Sequence, residues 1–262
     1  MKLRKMAVDE TGFISDPDGK NLQPQFSNMI SDVAKALVIS QADNIHSIYV
    51  YGSVAQGTAV ETVSDLDITV IFSRERVGTE SPTLTEVIRS LEEAHPVISK
   101  IDLDTGTLST VMDPQQLNRW GYWLKHHCVC VYGQDLRERF AAFRPSREIA
   151  VAVNGDFFNV LNEYASQMKP PSEPAQRQRL QRAAARKAIR STNILRDEND
   201  SDWPMTLEEH CAKFNDLYPA LSEGMDYLLS ISKRPRGDIM AFASRISTFV
   251  YWLNAEFSTR NR

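Results

Sequence analysis

The chain has 262 residues, 42% hydrophobic and 24% charged, enough to bury a core in one large domain or two ordinary ones. A formal charge of −4 speaks against a protein that coats nucleic acid through bulk charge. No apolar run approaches the ~20 residues of a membrane span, the start MKLRKMAVDETGF lacks a signal peptide's apolar stretch, and Cys128, Cys130 and Cys211 make no disulfide framework, so a cytoplasmic protein with reduced thiols and no membrane contact is expected.

Residues 1–22 read as a polar arm carrying the turn signal DPDGKN. From Pro24 to about Gln41 the apolar residues Phe26, Met29, Ile30, Val33, Leu37 and Val38 recur at helical spacing. HSIYVY (46–51) is a short strand ending at Gly52, and LDITVIF (66–72) is a second. Pro82 to Ala94 reads as an amphipathic helix, and VISKIDLD (97–104) as a third strand. Asp113-Pro114 has the form of an N-cap followed by proline at the first helical position, opening a helix to about His126. On that helix Trp120, Trp123 and Leu124 share a face, which favours packing over stacking on a ligand. His126 and His127 close it where the helix dipole favours them. None of the five histidines has the spacing of a structural zinc site. A strand, CVCVY, then ends at Gly133.

Beyond about Ser146 the patterns are all helical. Ser146 can cap a helix reaching about Met168, PPSEP (170–174) interrupts, and an Arg-rich helix runs from about Ala175 to Arg196. DENDSD (197–202) is a loop, and Thr206 with Glu209 has the form of a capping box. Pro219 and the stretch from Pro235 to Gly237 break the remaining helices, the last ending near Phe257. The expected fold is α+β, a small mixed sheet flanked by helices over residues 1–145 (with 1–22 as an arm), followed by an all-α helical bundle over 146–262.

The chemistry concentrates at VYGSVAQGTAVETVSDLDITVIF (50–72). Side chains alternate along a strand, so Asp65, Asp67 and Thr69 share one face while Leu66, Ile68 and Val70 share the other. In SKIDLD, Asp102 and Asp104 likewise share a face, opposite Ile101 and Leu103. Adjacent carboxylates repel, and a hard divalent cation relieves this. If the two strands are neighbours, Asp65, Asp67, Asp102 and Asp104 form a cradle for one or two Mg²⁺. Gly52 and Ser53 follow the first strand, where backbone N–H groups and a hydroxyl can hold phosphate oxygens. Phosphate cradle plus metal carboxylates points to phosphoryl or nucleotidyl transfer.

GSVAQGTAVETVSDLD resembles the signature of the DNA polymerase β-like nucleotidyltransferase superfamily, Gly-Ser followed by Asp-x-Asp. The resemblance implies that Gly52 and Ser53 contact nucleotide phosphates, that Asp65 and Asp67 bind Mg²⁺, and that a later acidic residue completes the site or acts as general base. Asp102 is favoured for that part, with Asp104 open as its alternative. The layout, including VYGQDL near residue 135 and the helical second half, is similar to that of aminoglycoside adenylyltransferases. That likeness implies a drug and ATP held in a cleft between domains, with basic residues of the helical half on the triphosphate. The candidates are Arg182, Arg186 and Arg190, spaced at i, i+4 and i+8 on one helical face. The helical half shows no acidic stripe of the kind a polycationic drug calls for.

The expectation is therefore Mg²⁺-dependent transfer of a nucleoside monophosphate, AMP from ATP or its equivalent from another NTP, onto a hydroxyl of a small-molecule acceptor such as an aminoglycoside-like antibiotic. The alternatives are a toxin-type enzyme modifying a protein or RNA, and a non-catalytic nucleotide-sensing or antitoxin module. Nucleic acid is not the expected partner, and the chain is expected as a monomer or homodimer.

Overall fold

Pro24 stands at the start of α1 (Pro24–Ser40), where its missing N–H leaves no helical bond unmade. The buried stripe of α1 (Phe26, Met29, Ile30, Val33 and Leu37) meets the sheet. The computed structural model describes residues 7–17, 21–41, 43–75, 83–168 and 173–260. It divides into two compact units, Ser15–Phe143 and Arg144–Arg262, the latter joined by the stretch up to Ile14.

In the first unit the order continues β1 (Ile45–Tyr51), α2 (Gly52–Ala55), β2 (Leu66–Phe72), α3 (Leu84–Ala94), β3 (Ile101–Thr107), α4 (Leu108–Val111), α5 (Tyr122–His127) and β4 (Val129–Gly133). The four strands form one sheet in the order β3-β2-β1-β4. β1 is antiparallel to β2 and to β4, while β2 and β3 are parallel. The parallel pair is joined through α3, the crossover such a pair requires. Thr83 caps α3 through a capping box with Glu86, whereas Pro82, expected to open this helix, lies outside the described residues. So do residues 18–20 of the DPDGKN turn and 170–172 of PPSEP.

One face of the sheet is apolar along its length. Ile48, Val50, Leu66, Ile68, Val70, Phe72, Ile101 and Leu103 pack there against α1 and α3. The other face is divided. Tyr49, Ile71, Cys128 and Cys130 pack at one part of it with Val111, Leu124, Trp120 and Trp123. Only the remainder carries the acidic residues, so the polar face is shorter than alternation alone suggests. The tryptophans pack as expected, and all three cysteines are free thiols.

Two boundaries in this unit differ from the expected ones. β3 begins at Ile101 because residues 97–99 bond the loop before β2, Thr62 N–H to Val97 O and Ser99 N–H to Ser64 O. The helix expected from Asp113 opens instead as a 3₁₀ turn (Pro114–Gln116) and a π turn (Leu117–Gly121) before α5.

His126 is buried to 1% exposure. Its Nε2 accepts from the Phe143 N–H at 3.1 Å, so the ring proton is on Nδ1, which faces Asp16 Oδ1 at 2.7 Å. Burial holds this imidazole below the ordinary histidine range, against the pull of Asp16. A depressed folded-state pKa means the unfolded chain takes up the proton first. The contribution of His126 is therefore full above the unfolded value of about 6.5 and falls as the pH drops below it. Urea midpoints at pH 7.5 and 5.5 should show this acid loss in the native chain and a smaller one in His126→Gln.

The second unit holds α6 (Arg147–Asn154), α7 (Phe157–Gln167), α8 (Pro174–Ser191), α9 (Leu207–Leu217), α10 (Ser222–Lys233) and α11 (Ile239–Arg260). Phe157, Leu161, Ala184, Ala188, Phe214, Leu228, Phe242, Ile246 and Leu253 belong to its buried core. Ser146 caps α6, and Thr206 with Glu209 completes the expected capping box of α9. The helix expected from Ser146 to Met168 is broken at Gly155 and Asp156, two poor helix formers. Asp156 turns its carboxylate to Lys187 Nζ at 2.5 Å. α8 ends at Ser191 and tightens into a 3₁₀ turn (Thr192–Leu195), as Ser191 and Thr192 hydroxyls bond back to Lys187 O and Ile189 O. Among the described residues no helix is long and apolar enough to cross a membrane.

The DENDSD loop folds around two cations. The Arg196 side chain is fully buried, lies 4.7 Å from the centre of the Trp203 ring, and donates to Asp200 O and Asp202 O at 2.8 Å each. Lys213 Nζ donates to Asp200 Oδ2 at 2.7 Å and also to Asp202. Burial works to raise the Asp200 carboxyl, and the Lys213 ammonium outweighs it, holding it below the usual carboxylate range.

Candidate active site

Parallel pairing makes β2 and β3 begin at the same end of the sheet, and antiparallel pairing makes β1 end there. Three register partners meet at that end: Tyr51 on β1, Asp67 on β2 and Asp102 on β3. Partners in register point to one face, so two carboxylates and a phenol stand side by side. Asp65 immediately precedes β2, and Asp104 lies opposite Thr69, one pleat further along. The topology thus brings all four predicted carboxylates to one region of one face.

Gly52 joins them from the loop side. It adopts φ +68°, and a Cβ built on it would fall 2.0 Å from Asp67 Oδ2. The backbone of the Gly-Ser turn therefore lies directly against the Asp67 carboxylate, an approach only glycine permits. Ser53 follows in the short α2, whose turn closes through Gln56 N–H to Gly52 O and Thr58 N–H to Ser53 O. The chain then leaves through Gly57 at φ +71°.

Three neighbours of the carboxylates carry no mark in the Gly-Ser or Asp-x-Asp pattern. The Tyr51 hydroxyl donates to Asp104 Oδ2 at 2.6 Å. Burial, reinforced by that hydrogen bond, pushes its phenol far above the ordinary tyrosine range, so it remains a donor at all working pH. The ring is braced edge-on by Trp123 at 4.9 Å. Ser99 donates its hydroxyl to Asp65 Oδ1. Lys100 Nζ lies 2.5 Å from Asp102 Oδ2 and 3.6 Å from Asp65 Oδ2, spanning the two strands. Alternation could have signalled this lysine, since Lys100, Asp102 and Asp104 are spaced by two along one segment. Among the described residues no three histidine, cysteine or acidic side chains are gathered in a ready-made metal site.

Arg182, Arg186 and Arg190 all lie exposed on one face of α8, opposite the buried Ala184, Ala185, Ala188 and Ile189. They belong to the second unit, and the carboxylate end of the sheet belongs to the first.

Residues 35–110 match the family model described as polymerase beta, nucleotidyltransferase. The match spans β1, the Gly-Ser turn, β2 and β3. No curated protein sequence matches the chain. Among solved structures, the spectinomycin adenyltransferase AAD(9) of Enterococcus faecialis, solved with ATP and spectinomycin, has a similar fold at a TM-score of 0.54 and 14% identity. The likeness covers 88% of this chain and 98% of that one. Residues 35–110 carry a polymerase β-type nucleotidyltransferase domain, which marks the chain as a nucleotidyltransferase enzyme, and the chain as a whole shares the fold of that solved structure.

Proposed function

We propose that this nucleotidyltransferase moves AMP from ATP onto a hydroxyl of a small-molecule acceptor, with release of pyrophosphate. The observation that carries the reading is the convergence of Gly52, Asp67 and Asp102 at one end of the sheet. A phosphate-approaching turn and paired carboxylates are what transfer at phosphorus requires. The solving of an adenyltransferase of similar fold with ATP supports the choice of nucleotide.

The site fits a divalent cation. Its donors are hard carboxylate oxygens, and a cation, the Lys100 ammonium, already stands between two of them. Asp65 and Asp67 would hold Mg²⁺, which supplies neutralisation of phosphate charge when bound. The backbone at Gly52 and the Ser53 hydroxyl orient the phosphate oxygens. Asp102, in register with Asp67, takes the proton from the acceptor hydroxyl as its oxygen bonds to the α-phosphorus and the bond to pyrophosphate breaks. Asp104 is the alternative for this part; Tyr51 holds one of its oxygens, as Lys100 holds one of those of Asp102. The test is pyrophosphate release from each labelled NTP with Mg²⁺ and a panel of hydroxyl compounds. Transfer of AMP to one of them is expected, and preference for another NTP or no release at all contradicts the reading.

The exposed arginine face of α8 supports a role in holding phosphate. Replacing Arg182 and Arg186 together by Ala should raise the KM for ATP roughly three- to tenfold while leaving the unfolding midpoint unchanged, since both side chains are exposed. A second reading draws on the same face together with the DENDSD loop. Asp200 and Asp202 are occupied by Lys213 and Arg196, so that loop offers little to a polycationic drug. An acceptor bearing phosphate, such as an RNA end, would suit the arginines better. Label from ATP appearing in macromolecules and not in small molecules would select it.

A further inference from the structure

We propose that Lys100 is a resident counter-ion of the carboxylate site, and that metal loading proceeds by exchange with its ammonium. The inference rests on the metal-assisted reading above. Its basis is the position of Nζ, 3.6 Å from Asp65 Oδ2 and 2.5 Å from Asp102 Oδ2. These oxygens belong to the proposed metal ligand and the proposed proton acceptor. Asp65 is engaged on both sides, with Ser99 on Oδ1 and Lys100 toward Oδ2.

The placement follows from the chain. Lys100 lies two residues before Asp102, so their side chains share a face, and its carbonyl accepts from the Leu66 N–H, which fixes it opposite Asp65. Without a counter-charge, Asp65, Asp67, Asp102 and Asp104 would repel one another at the sheet end. The ammonium relieves this, and Tyr51 and Ser99 add hydrogen bonds. A divalent ion that takes Asp65 Oδ2 must share that oxygen with a positive charge or displace it. The lysine side chain is 36% exposed and has solvent to swing into, so displacement is open to it. Lys100 therefore keeps the apoprotein assembled and sets a threshold for metal occupancy. When it leaves, the Asp65 ligand and the Asp102 proton acceptor are released together.

The test is Mn²⁺ binding to the apoprotein, followed by calorimetry and by the spin-resonance signal of free Mn²⁺, without nucleotide. Lys100→Met should bind Mn²⁺ roughly two- to fivefold more tightly than the native chain, as expected when a competing, partly exposed ion pair is removed. Its metal-free unfolding midpoint should fall, and saturating Mn²⁺ should restore it by a larger shift than in the native chain. Lys100→Arg, which keeps the charge, should stay near the native affinity. Equal or weaker binding by Lys100→Met, with native binding intact, overturns the exchange and leaves the proposed reaction standing. No Mn²⁺ binding by either protein overturns both.

Discussion

Asp67→Asn is expected to reduce nucleotidyl transfer by about a thousandfold or more, as loss of a central charge-stabilising group at a phosphoryl centre does. The substitution keeps the size and shape of the side chain that packs against Gly52 while removing its charge and turning one acceptor oxygen into a donor. Asp67 has Asp102 as its register partner and Asp65 two residues before it. Neutralising it relieves repulsion within the cluster, so the unfolding midpoint should hold or rise while activity collapses. Opposite movement of stability and turnover marks a residue whose charge is kept for chemistry. Asp65→Asn should lose activity similarly, with a stability change in the other direction because Lys100 loses one of its two carboxylates. The check is pyrophosphate release beside thermal unfolding for both variants. Native turnover in either would remove that carboxylate from the mechanism.

Local signals made much of this site legible. The strand around Asp67 is visible because an apolar face must repeat every second residue, and the Gly-Ser turn because a strand stops there. The capping box of Thr206 with Glu209 and the helices around Leu37 and Leu161 are local in the same sense. What alternation does not carry is partnership. Asp67 and Asp102 are register partners only because β2 and β3 run parallel with α3 crossing between them, a long-range event. The Tyr51 hydroxyl reaches Asp104 across the intervening strand for the same reason. The DENDSD loop reads as hydrated acid in sequence, yet a buried Arg196 organises it. Helix interruptions at Gly155 and around Leu117 escape apolar periodicity, because single residues set them while periodicity averages over several turns.

Gly52→Ala is expected to damage both fold and activity, and the reason is geometric. At φ +68° an L-residue pays about 1–2 kcal/mol for left-handed backbone alone. The added methyl would lie 2.0 Å from Asp67 Oδ2 and 2.9 Å from its Cγ. Either the Asp67 carboxylate turns away or the turn carrying Ser53 moves outward, and each separates the phosphate turn from the acidic strand. Turnover should fall by about a hundredfold or more, the scale expected when reacting groups are misplaced by an ångström, with a lowered unfolding midpoint. A double-mutant cycle isolates the contact from the backbone strain. In an Asp67→Ala background the clashing carboxylate is gone, so Gly52→Ala should destabilise the chain less than it does alone. The stability deficit that remains is the cost of left-handed alanine, and the difference measures how tightly the turn is built against Asp67. Strict additivity of the two substitutions would show that Gly52 serves the turn alone and that its approach to the carboxylate has no part in the site.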